Sequence, residues 1–432
     1  MATFLSHGGP EMSIDQAQKE QLLQEIIHKI IVSQGREPRK VLLLPPDMSR
    51  FHSNAGEITQ ILYKILSPKA HIDIMPAIGT HFAMTEQEIR EMFGNEIPLD
   101  CFKVHDWKND VQVLGAVPSA TIKEFSGGLL EYAMEVAVNK RLREGQYDTI
   151  LSVGQIVPHE VIGLANFTKN VCVGVGGSDM INKSHFLGAV YGMERIMGRA
   201  NTPVRQALDY AFNTFLGDLP IYFIMTVMSK QAGKLVMRGM YASDKENAAF
   251  LEGAQLCQQV NLDLLNAPLE KVVVYLDPSE FKSTWIGNKA IYRTRMAMAD
   301  NGHLIILAPG LKEFGEDKEN DRLIRKYGYF GAKATLKAVE QNEELQKSLG
   351  AAAHLIHGSS EGRFKITYCP GPKVSQTEIE KVGYNYVSYQ EMSQRYNPAT
   401  LKDGWNTLPD GEKFFYVSNP ALGLWALKSQ FS

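Results

Sequence analysis

At 432 residues, with 44% apolar, 22% charged and 9% aromatic residues, the chain is too long for one simple core, which argues for two or three domains and against disorder. A formal net charge of -3, with Lys and Arg dispersed, excludes the basic stripe that a nucleic-acid partner demands. Cys101, Cys172, Cys257 and Cys369 form no CxxC pair, and no run approaches the roughly 20 apolar residues of a membrane span, so a cytoplasmic protein without disulfides, structural zinc or membrane contact is expected.

After a short tail, Ser13 and Gln16 make a capping-box pair, and Leu22, Leu23, Ile26, Ile27, Ile30 and Ile31 follow at helical spacing until Gly35. "KVLLLPP" (40–46) reads as a buried parallel strand, "AGEITQILYKIL" as a helix, "HIDIMPA" as a strand, and "TEQEIREMFG" as a helix opened by Thr85 with Glu88 three residues on. The βα rhythm continues through a helix near 127–144, the strand "YDTILSVG" (147–154), a short strand at 171–173, and helices near 178–193 and 203–216. Residues 220–242 read as two β-rich runs joined by a Gly-containing turn, and a capped helix is predicted near 244–265. "KVVVYLD" (271–277) opens a second series: a helix near 284–299, the strand "HLIILAPG", charged helices near 316–348, and short strands around 354, 366 and 413.

This pattern predicts an α/β fold: two α/β domains with mainly parallel sheets and a cleft between them. Residues 1–268 form the expected N-terminal α/β domain, with 416–432 a candidate to complete it, and 269–415 the C-terminal α/β domain closing the cleft. In open α/β sheets ligands bind beyond the carboxyl ends of strands. Asp47 and Arg50 follow "KVLLLPP", His81 follows "HIDIMPA", His159 follows "YDTILSVG", and Lys289 lies on the helix after "KVVVYLD". Familiar motifs fail on spacing: "HEVIG" lacks a second His for a zincin helix, "GVGGSD" is not GxGxxG, and no GxSxG or GxxxxGK[ST] occurs. "GSSEGR" (358–363) reads as a turn.

"DMSR" after an apolar strand, "AIGTHFAMTEQEIREMFG", and "PH" followed ten residues later by Lys169 and sixteen further on by His185 resemble the nickel-pincer lactate racemase family. The lysine of "WIGNKAIYRTRMAMADNGHLIILAPG" falls in the matching place, and the resemblance is clear from about 36 to 310. It implies a nickel-pincer nucleotide, a pyridinium-derived mononucleotide carrying nickel, attached covalently to Lys169 and ligated by His185. Imidazole suits Ni(II), and a sheltered, neutral amine is a good acyl acceptor. By the same resemblance His81 and His159 are the two bases that serve either orientation of a substrate hydroxyl while hydride moves to and from the cofactor. Arg50 and Lys289 are the expected cations for a substrate carboxylate, and Asp47 is expected to hydrogen-bond the cofactor or orient a neighbour.

Lactate-acting members carry "GFSGG" before the attachment lysine, whereas this chain has "GLANFT" (163–168); Trp285 and Ile286 stand where an amide side chain is expected. These departures favour a 2-hydroxyacid larger than lactate, such as a sugar acid whose hydroxyls meet Asn166, Gln155 or Asn288. The expected activity is racemisation or epimerisation. The alternatives are a nickel-pincer-nucleotide-dependent polyol or hydroxyacid dehydrogenase, and a non-catalytic nucleotide- or metal-binding protein. The expected partners are a small hydroxyacid or polyol and the biosynthetic enzymes that load the cofactor.

Overall fold

The computed structural model describes residues 3–231, 234–421 and 423–431. The chain divides into two compact units, Met1–Leu187 with Met197–Asn261 and Gly188–Ile196 with Leu262–Ser432. Each is α/β with a six-stranded sheet in which parallel pairs predominate.

In the first unit the strand order is Thr3–Gly8, Lys234–Ser243, Ile221–Gln231, Thr149–Gln155, Lys40–Leu44, His71–Ile74. The last four run parallel, and Val41 to Leu44 have no exposed surface, as expected of an apolar run covered on both faces. Thr3–Gly8, read from the sequence as a tail, is instead an antiparallel edge strand against Lys234–Ser243. That pairing also moves the first helix start. The Ile14 amide donates to the Met237 carbonyl at 3.0 Å, so the capping box forms two residues later, between Asp15 and Gln18, and the helix runs Gln16–Gln34 to a left-handed Gly35. The Ile221–Gln231 and Lys234–Ser243 strands form the expected hairpin, whose Gly-containing turn at 232–233 lies outside the described residues.

Two expectations in this unit fail for identifiable reasons. The helix near 127–144 is replaced by the strand Met134–Asn139, paired antiparallel with Val111–Val117, and a single turn Arg141–Glu144. Gly127 and Gly128 sit at φ 68° and 87°, which a helix does not tolerate, and the β-branched Val136 and Val138 lie in a strand buried at every position but Glu135. The strand at 171–173 is instead part of the helix Thr168–Cys172, because the Thr168 side chain, bonded to Arg205 and Asp209, turns the chain before it reaches the sheet.

In the second unit the order is Asn385–Tyr386, Lys365–Pro370, Met298–Ala308, Leu269–Tyr275, Lys413–Val417, Gly404–Thr407, with only the last pair antiparallel. Residues 416–432 do not complete the first unit: Lys413–Val417 pairs with Leu269–Tyr275, and Leu424–Leu427 pairs with Leu262–Leu265, which also ends the preceding helix at Asn261. The strand expected around 354 is the helix Leu349–His357, buried along Ala351–His357. The helix expected at 284–299 divides into Thr284–Gly287 and Lys289–Thr294, because Met298 already belongs to the next strand. Among the described residues no helix is long and apolar enough to cross a membrane.

Candidate active site

Because Lys40–Leu44, His71–Ile74 and Thr149–Gln155 are parallel neighbours or share one, the loops leaving their carboxyl ends lie together. The Gly79 amide donates to the Gly174 carbonyl at 2.8 Å, and the Asn170 amide donates to the Leu44 carbonyl and the Ser152 hydroxyl, both at 2.9 Å. These bonds hold the Lys169 turn over two strand ends. Six of the seven predicted residues, Asp47, Arg50, His81, His159, Lys169 and His185, are brought close enough here to act on one another's charge. Lys289 belongs to the second unit, where its ammonium lies 5.9 Å from the centroid of the Phe281 ring.

Asp47 caps the short helix Met48–Ser53 and accepts from the Ser49 amide and hydroxyl, so its carboxylate is fixed before it meets anything else. Its Oδ2 lies 2.6 Å from Nδ1 of His81. Burial alone would raise the Asp47 carboxyl, but the bond and charge of His81, with Ser49 and Arg50, hold it below the usual value. A carboxylate only accepts, so Nδ1 of His81 carries the proton and Nε2 keeps its lone pair in the neutral ring. The neighbour that Asp47 meets in the structure is His81. With its side chain 56% exposed, His81 is the open member of the set.

"PHEVIGL" folds as a tight hairpin in which Pro158–His159 pairs with Gly163–Leu164. His159 is 6% exposed, and its Nδ1 accepts the Val161 backbone amide at 3.1 Å. Burial pushes this imidazole well below its ordinary pKa; Glu160 opposes the shift, and Lys169, Arg50 and His185 add to it. The Lys169 amine is pushed down to about 8, by burial first and then by Arg50. His185, on the helix Ser178–Tyr191, is pushed down to about 4 by burial and then by Lys169. Its Nδ1 lies 2.6 Å from the Ile181 carbonyl, which can only accept, so Nε2 is left with a lone pair for a metal.

Those two residues fit the chemistry of an attached nickel nucleotide: an amine that loses its proton near neutrality, and an imidazole kept neutral with one nitrogen already turned away by a backbone acceptor. Among the described residues no three His, Cys, Asp or Glu side chains gather as a metal cage.

Glu160 and Arg205 escaped the sequence reading. Glu160 Oε2 lies 3.8 Å from Nδ1 of His159, and its charge also reaches Lys169 and His185. Its signal was a carboxylate beside a strand-end histidine, overlooked once the zincin spacing failed. Arg205 lies at a buried position of the helix Pro203–Phe215, where an arginine among Val204, Ala207 and Leu208 was itself the signal. Its guanidinium donates to the Leu164 and Asn166 carbonyls at 2.8 and 3.0 Å and to the Thr168 hydroxyl at 2.8 Å. The loop it grips carries Asn166 at φ 75° and Phe167 at φ 57°, left-handed backbone in which glycine is the ordinary choice.

Phe167 offsets that strain by packing: it is 1% exposed, stacks on Phe250 at 5.4 Å and meets Phe223 at 4.5 Å, while the Arg205 guanidinium lies 4.5 Å from the Phe250 centroid. Phe250→Ala is expected to destabilise the protein by about 3–5 kcal/mol in denaturant unfolding; an unchanged midpoint would show that the loop holds its shape without this stack. In the second unit, Asn288 is fully buried and engaged at both ends, donating to the Tyr384 hydroxyl and accepting from that of Tyr368 at 3.1 Å each, so it is removed from the residues expected to meet substrate hydroxyls. Trp285 stacks on His354 at 4.3 Å.

Residues 9–196 match the model of the lactate racemase N-terminal domain. The fold is shared with solved structures. A crystal structure of a protein from Thermotoga maritima superposes with a TM-score of 0.80 at 20% identity, covering 98% of this chain and 100% of that one. The lactate racemase apoprotein from Thermoanaerobacterium thermosaccharolyticum superposes with a TM-score of 0.70 at 16% identity, covering 94% of this chain and 92% of that one. No curated protein matches at the level of sequence. The N-terminal part of the chain is thus similar to the lactate racemase N-terminal domain, and the fold as a whole is similar to that of the lactate racemase apoprotein.

Proposed function

We propose that this protein is a nickel-pincer-nucleotide-dependent racemase or epimerase of a 2-hydroxyacid larger than lactate, such as a sugar acid. The observation that carries the reading is the placement of Lys169 and His185, each prepared for its part in holding such a group, in one strand-end cluster with His81 and His159. When bound, the nucleotide supplies a reversible acceptor for the hydride on the substrate carbon. The chain supplies the rest. His81 and His159 exchange the hydroxyl proton, Asp47 orients His81, and Arg50 pairs with the carboxylate.

Support for a larger substrate comes from two amides. Gln155 and Asn166 are 8% and 5% exposed, and Nε2 of the first and Nδ2 of the second are buried donors without a protein acceptor. Leaving such donors unmatched costs about 1–3 kcal/mol each, a cost that hydroxyl oxygens of a polyhydroxylated acid would remove. A dehydrogenase that releases the ketone is the second reading, favoured by the unequal hydrogen bonding of the two histidines.

The deciding experiment is intact mass with nickel analysis on protein produced alongside the cofactor-making enzymes. A mass increment on the Lys169 peptide with about one nickel per chain is the expected result, followed by turnover of a hydroxyacid panel to both configurations. Unmodified, nickel-free protein beside a loaded control enzyme would overturn the proposal, and accumulation of ketone without inversion would select the dehydrogenase. In His185→Ala nickel retention should fall; full occupancy would remove its ligand role.

A further inference from the structure

We infer that Glu160 is the proton store for His159, so that this histidine relays a proton between substrate and Glu160 and stays neutral, whereas His81 takes and holds its own. The inference rests on the function proposed above and deepens it. Its basis is that the two imidazoles are held in opposite tautomers. At His81 the Asp47 carboxylate lies 2.6 Å from Nδ1, which fixes the proton there and leaves Nε2 a lone pair. At His159 the partner of Nδ1 is a backbone N–H, which can only donate. Nδ1 therefore holds the lone pair, and the neutral ring carries its proton on Nε2.

The consequence is chemical. An imidazole with its proton on Nε2 cannot accept another there, and if it gave that proton away alone it would become an imidazolate. It can give it away only as Nδ1 receives one, and the Val161 amide has none to spare. Glu160, whose Oε2 is 3.8 Å from Nδ1, is the neighbouring group that can supply it. A modest turn of either side chain exchanges the Val161 contact for the carboxyl. The step balances: the Glu160 carboxyl passes its proton to Nδ1 while Nε2–H passes to the substrate alkoxide, and the ring begins and ends neutral. In the opposite direction the hydroxyl proton enters at Nε2 and the Nδ1 proton leaves to the Glu160 carboxylate. When bound, the proposed cofactor would supply the acceptor for the substrate hydride and its electron pair, and the O–H pair would become the second carbonyl bond. Burial of His159, at 6% exposure, and partial exposure of Glu160, at 24% of its side chain, suit a neutral relay and a carboxyl that refills from water.

Two measurements test this. In protein labelled with 15N-histidine and free of cofactor, long-range nitrogen–proton NMR, assigned against His159→Gln and His81→Gln, should show His159 as the Nε2–H tautomer and His81 with Nδ1 protonated. His159 protonated at Nδ1, or at both nitrogens, at neutral pH would overturn the relay. In loaded enzyme, Glu160→Gln should lower inversion about 10²–10⁴-fold yet keep single-turnover oxidation of the enantiomer served by His81, and Glu160→Asp should recover part of the loss. Inversion at the wild-type rate in Glu160→Gln would also overturn it. If no cofactor attaches at all, the functional proposal fails while the tautomers still stand or fall by NMR, and if Glu160→Gln does not fold, the wild-type spectrum decides.

Discussion

Lys169→Met, produced with the cofactor-making enzymes, is expected to show the unmodified intact mass, no nickel and no turnover, while unfolding at a higher temperature than the cofactor-free wild-type chain. Both effects have one origin. The site pushes the amine from its ordinary 10.5 down to about 8, by burial and the nearby Arg50 cation. At pH 7 about a tenth of the amines are then neutral, against roughly one in 3,000 for an ordinary lysine. Attack on an acyl group is thereby helped, and a lysine probe should label Lys169 with a midpoint near pH 8. The folded state in turn binds a proton less readily than the unfolded chain, so it bears a cost that is fully present below pH 8, shrinks as pH rises and vanishes above 10.5. Methionine removes that cost, worth about 3 kcal/mol. Unfolding curves at pH 7 and pH 10 check the sign: the variant's advantage should be the larger at pH 7, and an advantage that grew with pH would contradict the account.

His81→Ala should retain the adduct and lose turnover by about 10²–10⁴-fold, the range for a missing general base. Asp47→Asn separates orientation from presence. The amide can donate to Nδ1 where the carboxylate only accepted, which would shift the proton to Nε2 and occupy the lone pair the reaction needs. In a well-studied protease a comparable carboxylate-to-amide change costs about 10⁴ in kcat; a loss of similar order, with KM little changed, is expected here. Steady-state kinetics with intact-mass control is the check. Normal turnover in His81→Ala would exclude it as a base, and normal turnover in Asp47→Asn would reduce the 2.6 Å contact to packing.

What the sequence disclosed of the site followed from topology. Asp47, Arg50, His81 and His159 each come after a predicted parallel strand, and parallel strands deliver their following loops to one edge. Lys169 and His185 came from the resemblance and its spacing, since a helix of five residues and a histidine in mid-helix carry no local signal. Hydrogen-bond polarity at His159 was invisible: the Val161 amide reaches its ring only because the hairpin closes at Gly163. The fold was misread where pairing is non-local. Thr3–Gly8 is a strand only because Lys234–Ser243 needs an edge partner, and Met134–Asn139 only because Val111–Val117 lies beside it.

The grip of Arg205 on residues 164–168 bears on how this pocket can be rebuilt. A designer wishing to give a glycine-rich loop this chain's backbone conformation would be drawn to transplant the six residues "GLANFT". That graft is incomplete by construction. The left-handed conformations at Asn166 and Phe167 are underwritten by a cation on Pro203–Phe215 and by aromatic rings from the Ile221–Gln231 strand and the Ala248–Asn261 helix. Loop and clamp form one module scattered over more than eighty positions of sequence, from Leu164 to Phe250, and that conformation is portable only when Arg205, Phe223 and Phe250 travel with it.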